Sequence, residues 1–176
     1  MLELAILGFL AEGPLHGYEL KRRVVHLTGH ARPVSDGTLY PAIKRMHTTG
    51  LIDRTAEPGA GAGPTRYVLS VTDAGRAELV GRLARPAEQD ITDFTRFAVI
   101  LAFLSQLPDL HARRTVLSRR LAFLEQPASF FYDDHRALRA EDVTDTYRQG
   151  LLTVARATSK AERAWLTAVL ATDAAQ

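Results

Sequence analysis

Apolar positions in the first part of the chain recur at the three- and four-residue spacing of amphipathic helices. Residues 2–12 form a short, mostly apolar segment that ends at Gly13, a residue typical of turns. From about 16 to 28, apolar side chains return at i, i+4 and i+7, and the basic side chains fall largely on the other side. A third segment begins at Ser35, a favourable N-cap, and ends at Gly50, a favourable C-cap. The pattern therefore predicts three short helices.

A hairpin and a fourth helix are expected next. The β-prone runs are LIDRT at 51–55 and TRYVLSV at 65–71. Between them, the glycine- and proline-rich segment 56–64 predicts a long hairpin tip. Thr72 or Asp73 then caps a helix that continues to about Ala84. Three compact helices followed by a two-stranded hairpin make a winged helix-turn-helix domain, which we place at residues 1–85.

The composition changes at Pro86, and beyond it the pattern predicts helices and no strands. These helices are expected at 90–106, 109–126 and 143–171. The first is apolar nearly all round and is expected to be buried on every side. Residues 127–142 are either a continuation of the second helix beyond a kink or a loop. The predicted fold is thus mainly α with a small β-hairpin wing, and residues 86–176 form an all-helical domain for dimerisation and, as a second role, ligand sensing.

Composition narrows the class of protein. A hydrophobic fraction of 46% is that of a globular chain, and no apolar run approaches the ~20 residues of a membrane span. The chain has no cysteine, which excludes disulfides, cysteine-ligated zinc and thiol catalysis. Residues 1–85 hold 11 basic against 8 acidic side chains, and residues 86–176 hold 11 against 12, so the first half is slightly basic. We expect a cytoplasmic protein without a signal peptide.

The third predicted helix has a core face and an outward face. At 100° per residue, Leu39, Ile43 and Met46 lie together on the core face. The outward positions are Gly37, Pro41, Lys44 and Thr48, with Tyr40 and Arg45 at the flanks. Glycine allows a close approach of backbone to a ligand, and a helix N-terminus favours phosphate. The hydroxyls of Ser35 and Thr38 and the ammonium group of Lys44 would add hydrogen-bond donors, which makes this face a candidate DNA-binding surface.

Three blocks of sequence together resemble the PadR family of bacterial transcriptional regulators. They are LAILGFLAEGPLHGYEL, SDGTLYPAIKRMHTTGLI and RYVLSVTDAGRAEL, in the family's order and spacing over residues 2–83. The resemblance implies a homodimeric DNA-binding protein, usually a repressor, that a small ligand releases from its operator. It also implies that the third helix enters the major groove and that the wing follows the phosphate backbone. Asp36 departs from the family, which more often has proline there.

The resulting DNA-binding candidates lie on the second helix, the third helix and the wing. They are Tyr18, Ser35, Gly37, Thr38, Tyr40, Lys44, Arg45, Thr65 and Arg66. The partner is expected to be a pseudo-palindromic double-stranded operator with half-site centres ~34 Å apart. The alternative is a winged-helix module for protein interaction or ligand sensing that does not bind DNA.

Three aromatic residues of the second half are candidates for ligand binding. Phe94, Phe97 and Trp165 would line a site for an apolar or aromatic effector, and the competing interpretation is that they are core residues. No cofactor or metal is expected, because His26 and His30 lack a third ligand. No constellation of residues indicates an enzyme.

Overall fold

The structure is a computed structural model, and it describes residues 1–28, 34–57 and 66–172. By its packing the chain divides into two units, Met1–Arg113 and Arg114–Gln176, each of which is described by itself. The fold is mainly α with a small β-hairpin wing, as predicted.

The structure confirms the three helices that the hydrophobic pattern predicts. They are α1 (Leu2–Glu12), α2 (Gly17–Thr28) and α3 (Asp36–Thr48). Helix α1 is the centre of the unit, since most of its apolar side chains are buried and it packs against both α2 and α3. Thr49, rather than the predicted Gly50, is the C-cap of α3. Gly50 follows it with a φ of 72°, in the left-handed region where glycine carries no Cβ penalty.

A three-stranded antiparallel sheet completes the winged-helix architecture. Its strands are β1 (Leu15–His16), β2 (Ile52–Glu57) and β3 (Arg66–Val71), in the order β1-β3-β2. The predicted hairpin corresponds to β2 and β3, whereas β1 was not expected, because two residues after a turn carry no periodic signal. The tip at 58–65 lies outside the described residues, and so does Thr65.

Helix α4 (Asp73–Ala84) follows the sheet and has the predicted start and end. The Thr72 hydroxyl oxygen accepts a hydrogen bond of 3.0 Å from the Gly75 amide, which caps the first turn. A Cβ at Gly75 would lie 2.0 Å from the Leu51 carbonyl oxygen, so only glycine allows the helix to approach the end of the hairpin so closely.

The prediction of a single helix at 90–106 is wrong. The structure has α5 (Glu88–Thr92), then α6 (Phe94–Phe103) and a 3₁₀ turn at Leu104–Gln106. Asp93 separates the two helices because its side chain accepts a hydrogen bond from the Arg96 amide and caps α6. The expectation of burial on every side also fails, since Phe94 in the first turn of α6 is 56% exposed.

Helix α6 packs with the first unit, and the division of the chain by packing falls after Arg113. The domain boundary at residue 85 remains a prediction. Gly8 on α1 lies so close to the Phe103 ring of α6 that an added Cβ would be 2.5 Å from it. The assignment of residues 86–176 to dimerisation and ligand sensing remains a prediction.

The remaining helices are α7 (Leu110–Glu125) and α8 (Thr146–Thr172). Helix α7 begins in the first unit and ends in the second. Both helices are close to their predicted bounds. The segment between them, which the sequence left open, is a loop that contains a 3₁₀ turn and a small hairpin. Its strands, β4 (Tyr132–Asp133) and β5 (Arg136–Ala137), contradict the expectation of no strands after Pro86. The hairpin forms because Asp134 and His135 adopt positive φ values of 42° and 72°, as a two-residue turn requires.

Candidate nucleic-acid interface

Helix α3 has the two faces that its periodicity predicts. Leu39, Ile43 and Met46 are buried, with at most 8% of each side chain exposed. The four predicted outward residues are all exposed: Gly37, Pro41, Lys44 and Thr48. Because the apolar face holds α3 against the core, the opposite face is presented as a fixed surface.

The N-terminal turn of α3 has a thin outer surface. Ser35 occupies the N-cap position, although its hydroxyl makes no capping hydrogen bond. Thr38 Oγ1 donates a hydrogen bond of 2.9 Å to the Ser35 carbonyl oxygen, and the two hydroxyl oxygens lie 3.5 Å apart. An added Cβ at Gly37 would meet nothing closer than Ser35 Oγ at 3.7 Å, so a ligand can come close to the backbone here. Pro41 lies within the helix, which begins at Asp36.

Asp36, the residue without an assigned role in the sequence, is ion-paired. Its Oδ1 lies 2.7 Å from Lys21 Nζ, so the pair links α2 to the first residue of α3. The hydrogen bond to Asp36 raises the pKa of Lys21 and keeps its ammonium group charged. Sequence spacing could not reveal this contact, because the two residues belong to different helices.

Tyr18 and Arg66 come together at an open groove beside α3. The groove has a volume of about 600 Å³ and is lined by His16, Gly17, Tyr18, Glu19, Arg66 and Tyr67. Tyr40 continues this surface from α3, since a Cβ at Gly17 would lie 3.7 Å from Tyr40 Cε1. The start of α2, the start of β3 and the flank of α3 thus form one polar, aromatic surface.

Arg54 is a candidate that sequence reasoning missed. Its guanidinium carbon lies 3.5 Å from the centre of the Tyr67 ring, on the neighbouring strand of the wing. Arg54 pairs with Leu69, and Ala56 pairs with Tyr67. Side chains two residues apart on a strand point to the same face, so the alternation along the hairpin could have shown that Arg54 and Tyr67 share a face.

The basic side chains of this surface differ in whether a carboxylate of the protein compensates their charge. Arg45 Nη2 lies 3.1 Å from Glu3 Oε1 on α1, so its charge is partly compensated within the protein. Lys44 lines a smaller groove of about 360 Å³ together with Pro41 and Thr48. Within the described ranges, Lys44, Arg54 and Arg66 have no carboxylate at salt-bridge distance, and we identify them as the cations available to a partner.

The three aromatic candidates for ligand binding do not form one site within either unit. Phe97 is fully buried on α6, whereas Phe94, three residues earlier, is mostly exposed. Trp165 belongs to the other unit and is 45% exposed. Phe97 therefore fits the core interpretation, and the binding of a ligand by Phe94 and Trp165 remains a prediction.

Neither a metal centre nor a membrane span is found in the described part of the chain. No group of three or more histidine or acidic side chains there could hold a metal ion. His26 belongs to that part and His30 does not. No helix of residues 1–28, 34–57 or 66–172 is long and apolar enough to cross a bilayer.

Comparison with known proteins identifies similar sequences for the first part of the chain. The model of the transcriptional regulator PadR-like family matches residues 6–80. Transcriptional regulator Rv3488 of Mycobacterium tuberculosis is 37% identical over 78 residues, which are 44% of this chain and 68% of that protein.

Two solved structures are among the similar ones. The putative transcriptional regulator TA0346 of Thermoplasma acidophilum is 27% identical, with 50% of this chain and 76% of that chain covered and a TM-score of 0.41. Bacillus subtilis PadR in complex with operator DNA is 22% identical, with 97% and 98% covered and a TM-score of 0.46. The family match and the identity to the mycobacterial regulator identify a regulator of transcription rather than an enzyme. The chain belongs to the PadR-like family of transcriptional regulators.

Proposed function

We propose that this regulator is a homodimeric repressor that binds DNA sequence-specifically and is located in the cytoplasm. A small apolar or aromatic ligand releases it from its operator. The observation that carries the proposal is the exposed face of α3, which is held from behind by a buried apolar face and flanked by the wing. An α-helix fits the major groove of B-DNA, and the side chains that face outward can then read base edges.

The contacts follow from the chemistry of each position. The thin surface at Gly37 allows the N-terminal turn of α3 to approach a phosphate, and the Ser35 hydroxyl donates a hydrogen bond there. Thr38 donates to the phosphate by exchanging its hydrogen bond to the Ser35 carbonyl oxygen. Lys44 contacts phosphate or a base edge from the middle of the helix. The remaining contacts come from the groove, the wing and the flanks of α3: Tyr18, Tyr40, Arg45, Thr65 and Arg66.

The surface of α8 supports the homodimer. One row of exposed positions on this helix follows alternating steps of four and three residues, which is the a/d spacing of a coiled coil. The row consists of Tyr147, Leu151, Val154, Thr158, Ala161, Trp165 and Ala168. The other side of α8 is engaged within its own unit, where Leu152 and Leu166 are buried.

A second copy of the chain is the partner that this row fits best. The same row on both subunits makes a self-complementary interface, and the two-fold symmetry of the dimer would match a pseudo-palindromic operator. The half-site centres are then expected ~34 Å apart on one side of the duplex.

The ligand is proposed on the exposed aromatic residues. Phe94 is 56% exposed and Trp165 is 45% exposed, and an apolar effector would gain free energy by covering either ring. Because Trp165 is the only tryptophan, its fluorescence reports binding directly. Titration with a series of benzoic and phenolic acids should change this emission and weaken DNA binding in parallel, and compounds that do neither are not effectors.

The proposal is tested by a gel shift with DNA from upstream of the chain's own gene. We expect a retarded complex at low salt, and Lys44→Ala should weaken it. If Lys44 contacts phosphate alone, the salt slope should fall by about one and the sequence preference should not change. The absence of any complex at low salt would favour the alternative, a winged-helix module for protein interaction or ligand sensing.

A further inference from the structure

The ion pair between Lys21 and Asp36 lies at the end of α3 that we propose approaches DNA. Asp36 is the first residue of the helix, and its carboxylate is 2.7 Å from the Lys21 ammonium nitrogen. The Asp36 side chain is 61% exposed and the Lys21 side chain 33% exposed. Both charges are therefore within reach of a duplex that contacts the N-terminal turn.

A carboxylate at this position weakens the attraction of the site for phosphate. The N-terminus of a helix carries a partial positive charge that favours anions, and a fixed negative charge beside it repels them. Asp36 also occupies the ammonium group of Lys21, which would otherwise be free to neutralise a phosphate. The pair thus reduces the positive charge that any duplex encounters, whatever its sequence.

We infer that Asp36 suppresses sequence-independent phosphate binding at the N-terminus of α3 and so lowers the affinity for every duplex. This inference rests on the proposed DNA-binding function. Phosphate contacts add affinity for every duplex and carry no sequence information. A residue that removes one of them therefore lowers the affinity for every duplex by a similar factor and leaves the sequence preference to the contacts with base edges.

A purely structural role for the pair predicts a different result. If the ion pair only held α2 against α3, then Asp36→Asn and Lys21→Met would both break it and would both weaken binding. Under the inference the two variants act in opposite directions. Asp36→Asn removes the repelling charge and frees Lys21, whereas Lys21→Met leaves the carboxylate without its partner.

The test measures fluorescence anisotropy of the full chain on two 30-base-pair duplexes between 50 and 200 mM salt. One duplex is selected from a random pool by the wild-type protein, and the other has the same bases in shuffled order. Asp36→Asn is expected to bind the shuffled duplex roughly 5- to 10-fold more tightly at 0.1 M salt, with a salt slope steeper by about one. It should bind the selected duplex more tightly by a similar factor, so that its preference does not change, and Lys21→Met should bind both duplexes more weakly.

Glu141→Gln is the matched control, because this side chain is equally exposed at 61% and lies in the other unit, 3.7 Å from Arg139. It should behave like the wild type. The inference is overturned if Asp36→Asn binds the shuffled duplex no more tightly than the wild type, or if Glu141→Gln gains as much affinity. If the wild-type protein binds neither duplex at 50 mM salt, the proposed function itself fails, and the inference fails with it.

Discussion

Arg120 and Glu162 form a buried two-point ion pair that joins α7 to α8. Arg120 Nε lies 2.7 Å from Glu162 Oε1, and Arg120 Nη2 lies 2.9 Å from Oε2. Only 3% of the arginine side chain and 12% of the glutamate side chain are exposed. The attraction within such a pair is largely offset by the hydration that both charges have lost, whereas the loss of one partner leaves the other charge buried and unpaired.

Removing one partner of this pair should be strongly destabilising. Arg120→Ala leaves the Glu162 carboxylate buried without compensation, and we expect the free energy of unfolding in urea to fall by about 3–5 kcal/mol. Glu141→Ala, at the exposed pair with Arg139, should change it by about 1 kcal/mol or less. Equal effects of the two substitutions would contradict a buried, coupled pair.

The close contact between α1 and α6 leads to a second prediction about the stability of the protein. A Cβ at Gly8 would lie 2.5 Å from the Phe103 ring, which also packs edge-on against Phe9 with ring centres 4.9 Å apart. Gly8→Ala should therefore destabilise the protein by about 1–3 kcal/mol through overpacking.

Gly81 in α4 is the control for this substitution, because an added Cβ there would meet only the end of the Arg85 side chain at 3.9 Å. Gly81→Ala should stabilise the helix by about 0.5–1 kcal/mol. Thermal unfolding of the two variants should thus shift in opposite directions, and a stabilising Gly8→Ala would show that α6 does not approach α1 as described.

Dimerisation through α8 can be tested with two neighbouring positions. Val154 lies on the exposed row, and Thr153 is also exposed but lies off it. Val154→Glu should convert the dimer to a monomer, because it places a charge at the centre of the exposed row on both subunits. Light scattering at micromolar concentration measures this change. Thr153→Glu should remain dimeric, and a wild-type monomer would refute the interface altogether.

Asp142 gives a prediction of pH dependence. Its carboxylate accepts a hydrogen bond of 2.8 Å from the Arg139 amide, and Arg136 Nη1 lies 3.2 Å away. These contacts, the amide first, lower the pKa of Asp142 below its ordinary value. The stability that the ionised group contributes is present above the ordinary pKa and is lost as the pH falls through the lowered one.

NMR titration of the side-chain carboxyl carbons measures this directly. The resonance that disappears in Asp142→Asn should titrate below the range of an exposed aspartate. An ordinary or raised pKa would show that the 3₁₀ turn at Ala140–Asp142 is not held by this carboxylate.

Local sequence signals predicted the elements whose ends are determined by their own residues. Thr72 caps α4 as predicted, and Gly50 adopts the predicted left-handed backbone one residue after the C-cap of α3, because capping and left-handed backbone depend on one side chain or its absence. The break at Asp93 was missed because the apolar pattern continues across it. The hairpin at 132–137 was missed because Asp134 and His135 are not the glycine or asparagine that usually marks such a turn.

The candidate interface was predictable where one helix carries it. Periodicity correctly separated Leu39 from Lys44, which face opposite ways on α3. The contacts that set the charge of the surface join different elements, as Asp36 does with Lys21 and Arg45 with Glu3. Such pairs depend on how helices pack, and no single-sequence pattern contains that information.

The central claim is that the outward face of α3 contacts DNA, and photocrosslinking from a single cysteine tests it most directly. The chain has no cysteine, so a photoactivatable aryl azide can be attached at one chosen position. Thr48→Cys lies on the outward face of α3, and Ala77→Cys is an exposed control on α4, which packs against α1. The account predicts strong crosslinking to the selected duplex from position 48 and none from position 77. Crosslinking from position 77 with none from position 48, in proteins that both bind the duplex, would contradict it.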